Sequence, residues 1–229
     1  MKKFATTFLI SILFLVLTCL ICFKMAIDVP QANIFVAEAS DELPKSAVKS
    51  LLLKNEYFMS ESEFNSYLQY LAENTEKRTY DKDYYLLTNI YFDFQSDVPS
   101  KCYLKFRNSQ RDMVVSVDVD IRKNGNSIDL TFSNLFIGKL HLPEFISKYY
   151  FQTTDFGDFS KYINADEMKA EIPTHYSLDI PDFGEVVSVD IIEISVTDSG
   201  VSITTNEIVK DSLSGIASSI VDNISEFLN

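Results

Sequence analysis

The chain has no tryptophan, two histidines, three cysteines and six glycines among its 229 residues, and each scarcity closes a class of chemistry. His141 and His175 stand far apart with no His-x-x-x-His or Gly-x-Ser-x-Gly pattern around them, so neither metal nor triad chemistry has its usual spacing. No cofactor, no metal and no enzyme activity are therefore expected. Gly138 has no second glycine within reach, which excludes a phosphate-cradling loop. Cys19 and Cys22 fall inside a long apolar run. The one cysteine beyond it, Cys102, has no intramolecular partner there and reads as a core residue. Basic residues are also scarce, 20 against 33 acidic ones. With Lys2, Lys3 and Lys24 set aside, the rest carries a net charge near −16, which argues against a nucleic-acid partner.

What the sequence has in quantity is hydrophobic residues, 46% of the chain. Part of this is one run, "FATTFLISILFLVLTCLICF" from Phe4 to Phe23, uncharged and flanked by Lys2, Lys3 and Lys24. Twenty such residues match the roughly 30 Å of bilayer hydrocarbon, and the lysines before the run orient the N-terminus inward. The expectation is a single-pass protein of the cell membrane, with an anchor over 1–27, a linker over 28–54 and an extracytoplasmic domain over 55–229. A cleaved leader is the alternative, since Ala37-Glu38-Ala39 has the small-x-small form of a processing site.

Beyond the run the period of the pattern assigns the elements. Ser60 and Glu63 form a capping box ahead of Phe64, Tyr67, Leu68 and Leu71 at helical spacing. Ile90, Phe92 and Phe94 alternate with polar neighbours. So do Met113, Val115, Val117, Val119 and Ile121, and Asn124-Gly125 predicts a hairpin into Ile128, Leu130 and Phe132. Pro143 opens a helix with Phe145, Ile146, Tyr149 and Tyr150 on its apolar side. A second hairpin turns at Asp198-Ser199-Gly200, with a bulge near Ile191 to Ile192 where the apolar phase changes. Val209, Leu213, Ile216, Ile220, Ile224 and Phe227 predict a long closing helix. Asp118 and Asp120 share one strand face at a spacing that would suit a carboxylate pair or calcium, but such residues are mostly solvated.

The order of these segments, with "SESEFNSYL", "GKLHLP" at Gly138 to Pro143 and "YSLDIP", resembles the YpmS-like family of membrane-anchored exported proteins. The likeness spans about Phe58 to Thr205, and departs from the family in the acidic C-terminal helix and the "FDFQSDVPSKCYLKF" stretch. That family is in turn similar in layout to the tubular lipid-binding (TULIP-type) domains. The resemblance implies an α+β fold in which a strongly curved antiparallel sheet wraps a long C-terminal helix. It implies a lipid or lipid-linked envelope molecule as ligand, held in an apolar groove of Val115, Val117, Val119, Leu130, Phe132 and Phe136 with Tyr149 and Tyr150 at its mouth. Tyr84 and Tyr85 belong to the same aromatic set. The competing expectation is a non-enzymatic interaction module for an envelope protein partner. The membrane itself is the first expected partner, through the N-terminal run.

Overall fold

A computed structural model describes residues 15–26, 28, 37–74, 86–107, 112–154, 157–180 and 185–206. After helical residues 15–26 come α1 (Glu42–Lys54), β1 (Glu56–Ser60), α2 (Glu61–Asn74), β2 (Leu86–Asp93), β3 (Ser100–Arg107), β4 (Asp112–Asn124), β5 (Ser127–Ile137) and β6 (Leu140–His141). There follow α3 (Glu144–Thr153), β7 (Ile163–Asn164), β8 (Lys169–Pro173), β9 (His175–Ile180), β10 (Glu185–Thr197) and β11 (Gly200–Thr205). Strands make up about half of the described residues, while α1, α2 and α3 have only 13, 14 and 10 residues. The expected α+β class is corrected accordingly: the described chain is mostly β.

Two antiparallel sheets carry the fold, one in the order β1-β11-β10-β9 and one in the order β2-β3-β4-β5-β8-β7, with β6 paired on β5. The expected turns are present. Asn124 pairs with Ser127 across Gly125-Asn126, and Gly125 adopts the φ of +57° that such a two-residue hairpin demands. Thr197 pairs with Gly200 around Asp198-Ser199, and the β10 register shifts between Ile191 and Glu193, where the sequence phase changes. Between β8 and β9 only Thr174 intervenes, its N–H bonded to Asn126 and its carbonyl to Ile191. That short step passes the chain from one sheet to the other and curls the assembly into a half-barrel.

Sequence patterning explains the interior. Phe92, Val117 and Val119 of the larger sheet, with Phe94 just after β2, pack with Val201 of the smaller one. Ile194, Val196 and Ile203 from β10 and β11 and Phe64 and Leu68 from α2 close over them. The apolar face expected to wrap a long C-terminal helix is thus already covered by the opposite sheet and by α2. The expected closing helix, 207–229, lies outside the described residues.

Helix α2 has a second task. β2 is an edge strand of its sheet, and an open edge leaves backbone groups unpaired. Glu61, Asn65 and Gln69, spaced one helical turn apart, meet that edge with side chains. Phe94 N–H donates to Glu61 Oε2 at 3.1 Å, and Phe92 N–H donates to Asn65 Oδ1 at 2.6 Å. Asn65 Nδ2 donates to the Phe92 carbonyl at 2.8 Å, while Gln69 Nε2 reaches the Thr88 carbonyl at 3.4 Å. The capping box read from the sequence starts this helix: Glu63 N–H donates to Ser60 Oγ at 3.2 Å, and Ser60 N–H to Glu63 Oε2 at 3.0 Å.

The N-terminal expectation requires correction. Among the described residues no helix is long and apolar enough to cross a membrane, which overturns the single-pass membrane localisation inferred from the apolar run. Residues 1–14 lie outside the described residues. Where helical residues 15–26 end, the chain meets the turn between β5 and β6. Lys139 N–H donates to the Met25 carbonyl at 2.8 Å, and Lys139 Nζ lies 2.7 Å from Asp28 Oδ2. Gly138 permits this approach, because a Cβ there would lie 2.5 Å from the Met25 carbonyl oxygen and its φ is +58°. Residues 28–54, read as a linker, include α1, whose Ser46 hydroxyl contacts Tyr57 at 3.0 Å.

Candidate functional site

Strand alternation places the sequence-derived groove residues. Val115, Val117 and Val119 share one face of β4, and the register sets Phe132 opposite Val119 and Leu130 opposite Ile121 on the same face. Val117 and Val119 are buried in the core, with Leu130 and Phe132 packed against it. Phe136 leaves the set. β5 carries an extra residue between Ser133 and Phe136, where Ser116 and Asp118 pair on β4, and Asn134 takes a φ of +48°. A one-residue bulge reverses the side-chain phase, so Leu135 joins the core and Phe136 turns to the other face, 4.8 Å from the His141 ring.

Tyr149 and Tyr150 do not join the groove either. They stand 62% and 51% exposed on α3, beside Phe145 at 73%. The helix rests on β5 through Phe151, whose ring lies 5.1 Å from Phe132. The apolar side expected to pack is thus partly an exposed aromatic face. Tyr84 and Tyr85 lie outside the described residues.

What remains of the groove is a cleft at one end of the half-barrel, about 390 Å³ in volume, opening between β4 and β10. Val119, Ile121, Ile194 and Val196 form its floor, and Gln95, Asp97 and Arg122 stand on its more polar rim. The β2–β3 loop borders it and is tied to the β10–β11 turn. Ser96 N–H and Ser96 Oγ both donate to Asp198 Oδ1 at 2.8 Å, which lowers the pKa of that carboxyl below its usual value. Only Val119 of this lining was legible as a groove residue. Ile194 and Val196 carry an alternating pattern, but nothing local says which strand they will face.

The other reactive side chains do not converge. Asp118 Oδ2 accepts a bond from Asn134 Nδ2 at 2.9 Å. Lys101 Nζ lies 3.2 Å from Asp118 Oδ1 without the angle of a hydrogen bond. Asp120 sits 2.7 Å from Arg122, so each carboxylate has its own cation rather than a shared site. His175 Nδ1 meets Asp190 Oδ1 at 2.6 Å, remote in sequence from His141. Cys102 is a core thiol pushed up to about 12 by burial. Among the described residues no group of three or more His, Cys, Asp or Glu is placed to hold a metal ion. Compared with protein-family models, curated proteins and solved structures, the chain finds no match.

Proposed function

We propose that this half-barrel is a binding domain that takes the apolar end of an amphiphilic molecule into the cleft between its two sheets. The observation that carries the reading is the cleft itself, where apolar side chains from both sheets lie at the bottom of a mainly polar lining. Pockets of a few hundred Å³ with an apolar floor and a few polar groups are the usual form of small-ligand sites. At about 30 Å³ per water-sized group, the cleft accommodates roughly a dozen heavy atoms. That suits a single short acyl chain or an isoprenoid unit and leaves no room for both tails of a phospholipid. The polar end would lie at Arg122 and its neighbours, outside the floor.

A second reading, an interaction module for another protein, is favoured by Phe145, Tyr149 and Tyr150 on α3, since exposed aromatic groups mark contact surfaces. One experiment separates the two. A fluorescent medium-chain fatty acid is titrated into the full chain, into Ile121→Phe and into a Phe145→Ser/Tyr149→Ser double variant. The cleft reading expects saturable uptake that Ile121→Phe reduces at least fivefold and the α3 variant leaves unchanged. Absence of uptake by the folded wild type removes the cleft reading.

A further inference from the structure

The edge of β5 has a gap that the cleft does not involve. Phe132 N–H donates to the Met168 carbonyl at 2.9 Å on one side of it, and Leu142 N–H donates to the Leu135 carbonyl at 2.8 Å on the other. Between them, at Ser133 and Asn134, a cavity of about 270 Å³ opens beneath the start of α3 and the turn before β8. Phe132, Leu142 and Met168 give it an apolar wall, and Glu144, Asp166, Glu167 and Lys148 give it charges of both signs, of which Asp166 already accepts a bond from Gln152 Nε2 at 2.6 Å.

Glu144 and Glu167 stand exposed at the mouth of this cavity and Lys148 is half-buried. Lys101, Lys105, Lys139 and Lys169 each lie against a carboxylate. Glu144 and Lys148 stand one helical turn apart in the order that favours pairing, yet no ion pair joins them. Among the described residues neither of them, nor the Glu167 side chain, has a hydrogen-bond or ion-pair partner. The backbone on both rims is also unusual: Asn134 and Met168 hold φ of +48° and +51°, a region that non-glycine residues seldom occupy outside constrained sites.

We propose that this cavity binds a free α-amino acid with an apolar side chain. Its ammonium group lies between Glu144 and Glu167, its carboxylate meets Lys148, and its side chain rests on Phe132, Leu142 and Met168. With Asp166 engaged by Gln152, the charges left for a ligand are two carboxylates and one ammonium, which call for a cationic and an anionic group on one small molecule. A fatty acid leaves both glutamates unmatched, and a simple amine leaves the lysine unmatched. The volume holds about nine water-sized groups at ~30 Å³ each, which is the size of leucine.

Calorimetric titration of the full chain with L-leucine, L-leucinamide, N-acetyl-L-leucine and the dipeptide Leu-Gly tests it. Leucine binds, while leucinamide and N-acetyl-leucine, each lacking one charge, bind at least tenfold more weakly. Lys148→Gln abolishes the preference for leucine over leucinamide, and Glu144→Gln abolishes the preference over N-acetyl-leucine, with melting temperatures at the wild-type value. The proposal is overturned if leucine, methionine and phenylalanine give no heat and no melting shift with folded wild type. It is equally overturned if both variants bind leucine as the wild type does, or if Leu-Gly binds as tightly as leucine.

Discussion

Replacing Asn65 by Ala isolates the device that closes the edge of β2. Asn65 is 2% exposed, and its amide is the partner of both the N–H and the carbonyl of Phe92. Truncation leaves both backbone groups without a partner where water has little access. Each orphaned buried group costs about 1–3 kcal/mol, so the substitution should cost about 2–6 kcal/mol. That is a large share of the 5–15 kcal/mol typical of a domain. Asn65→Asp sharpens the argument, because it keeps the acceptor for Phe92 N–H and turns a second oxygen towards the Phe92 carbonyl. Burial raises the pKa of the new carboxyl in the folded state. This variant is therefore closest to wild type below the unfolded carboxyl range near 4, and loses stability as pH rises from there through the folded pKa. Urea unfolding followed by circular dichroism at pH 7 and at pH 3.5 gives the midpoints, and an unchanged slope keeps the comparison a stability difference. A loss below 1 kcal/mol for Asn65→Ala, or an Asn65→Asp deficit that does not grow with pH, would refute the view that this side chain substitutes for a missing strand.

Val117→Phe, which an empty groove would accommodate, should cost about 1–3 kcal/mol by overpacking, because Val117 lies among Phe92, Val119 and Val201; thermal melting measures it. Gly138→Ala should release residues 25–28, since the new Cβ meets the Met25 and Ala26 carbonyl oxygens, and limited proteolysis should then cut that segment faster with the β domain intact. Asp112 is held down to about 2 by its hydrogen bond from Arg107 and next by Lys105, so its contribution is present above the usual carboxyl range and is lost as pH falls from about 4 to 2. Both partners are solvent-accessible, which limits the effect of Asp112→Asn to about 1 kcal/mol in denaturation measured across that range. Iodoacetamide at pH 8 should label exposed Cys19 and spare Cys102, whose thiol is pushed up to about 12 by burial, until urea unfolds the chain; peptide mass spectrometry reads both sites.

Local chemistry determined much of this protein from its sequence. Alternation along β4, the Asn124-Gly125 pair, the Ser60/Glu63 box and the phase change at Ile191 to Ile192 each concern neighbours within a few residues, and backbone sterics and hydrogen bonding resolve such patterns without the rest of the chain. The apolar face of β4 was legible for the same reason. What covers that face was not, because alternation says that Val117 and Val119 must be buried and is silent on whether Val201 and Ile194, a long helix or a ligand buries them. Only the meeting of two sheets decided it. The β5 bulge at Asn134 shows the same limit on a smaller scale, since one extra residue in a strand moves Phe136 to the opposite face, and no composition rule marks Ser133-Asn134-Leu135 as its place. Asn65 and Gln69 read as ordinary polar positions of an amphipathic helix until β2 lies beside them, for an amide gains its role from the backbone groups it meets. The charges around the β5 gap belong to α3 and to the turn before β8, and the lack of partners at Glu144, Lys148 and Glu167 is a property of the folded arrangement, because ion pairing depends on distances that sequence separation does not set.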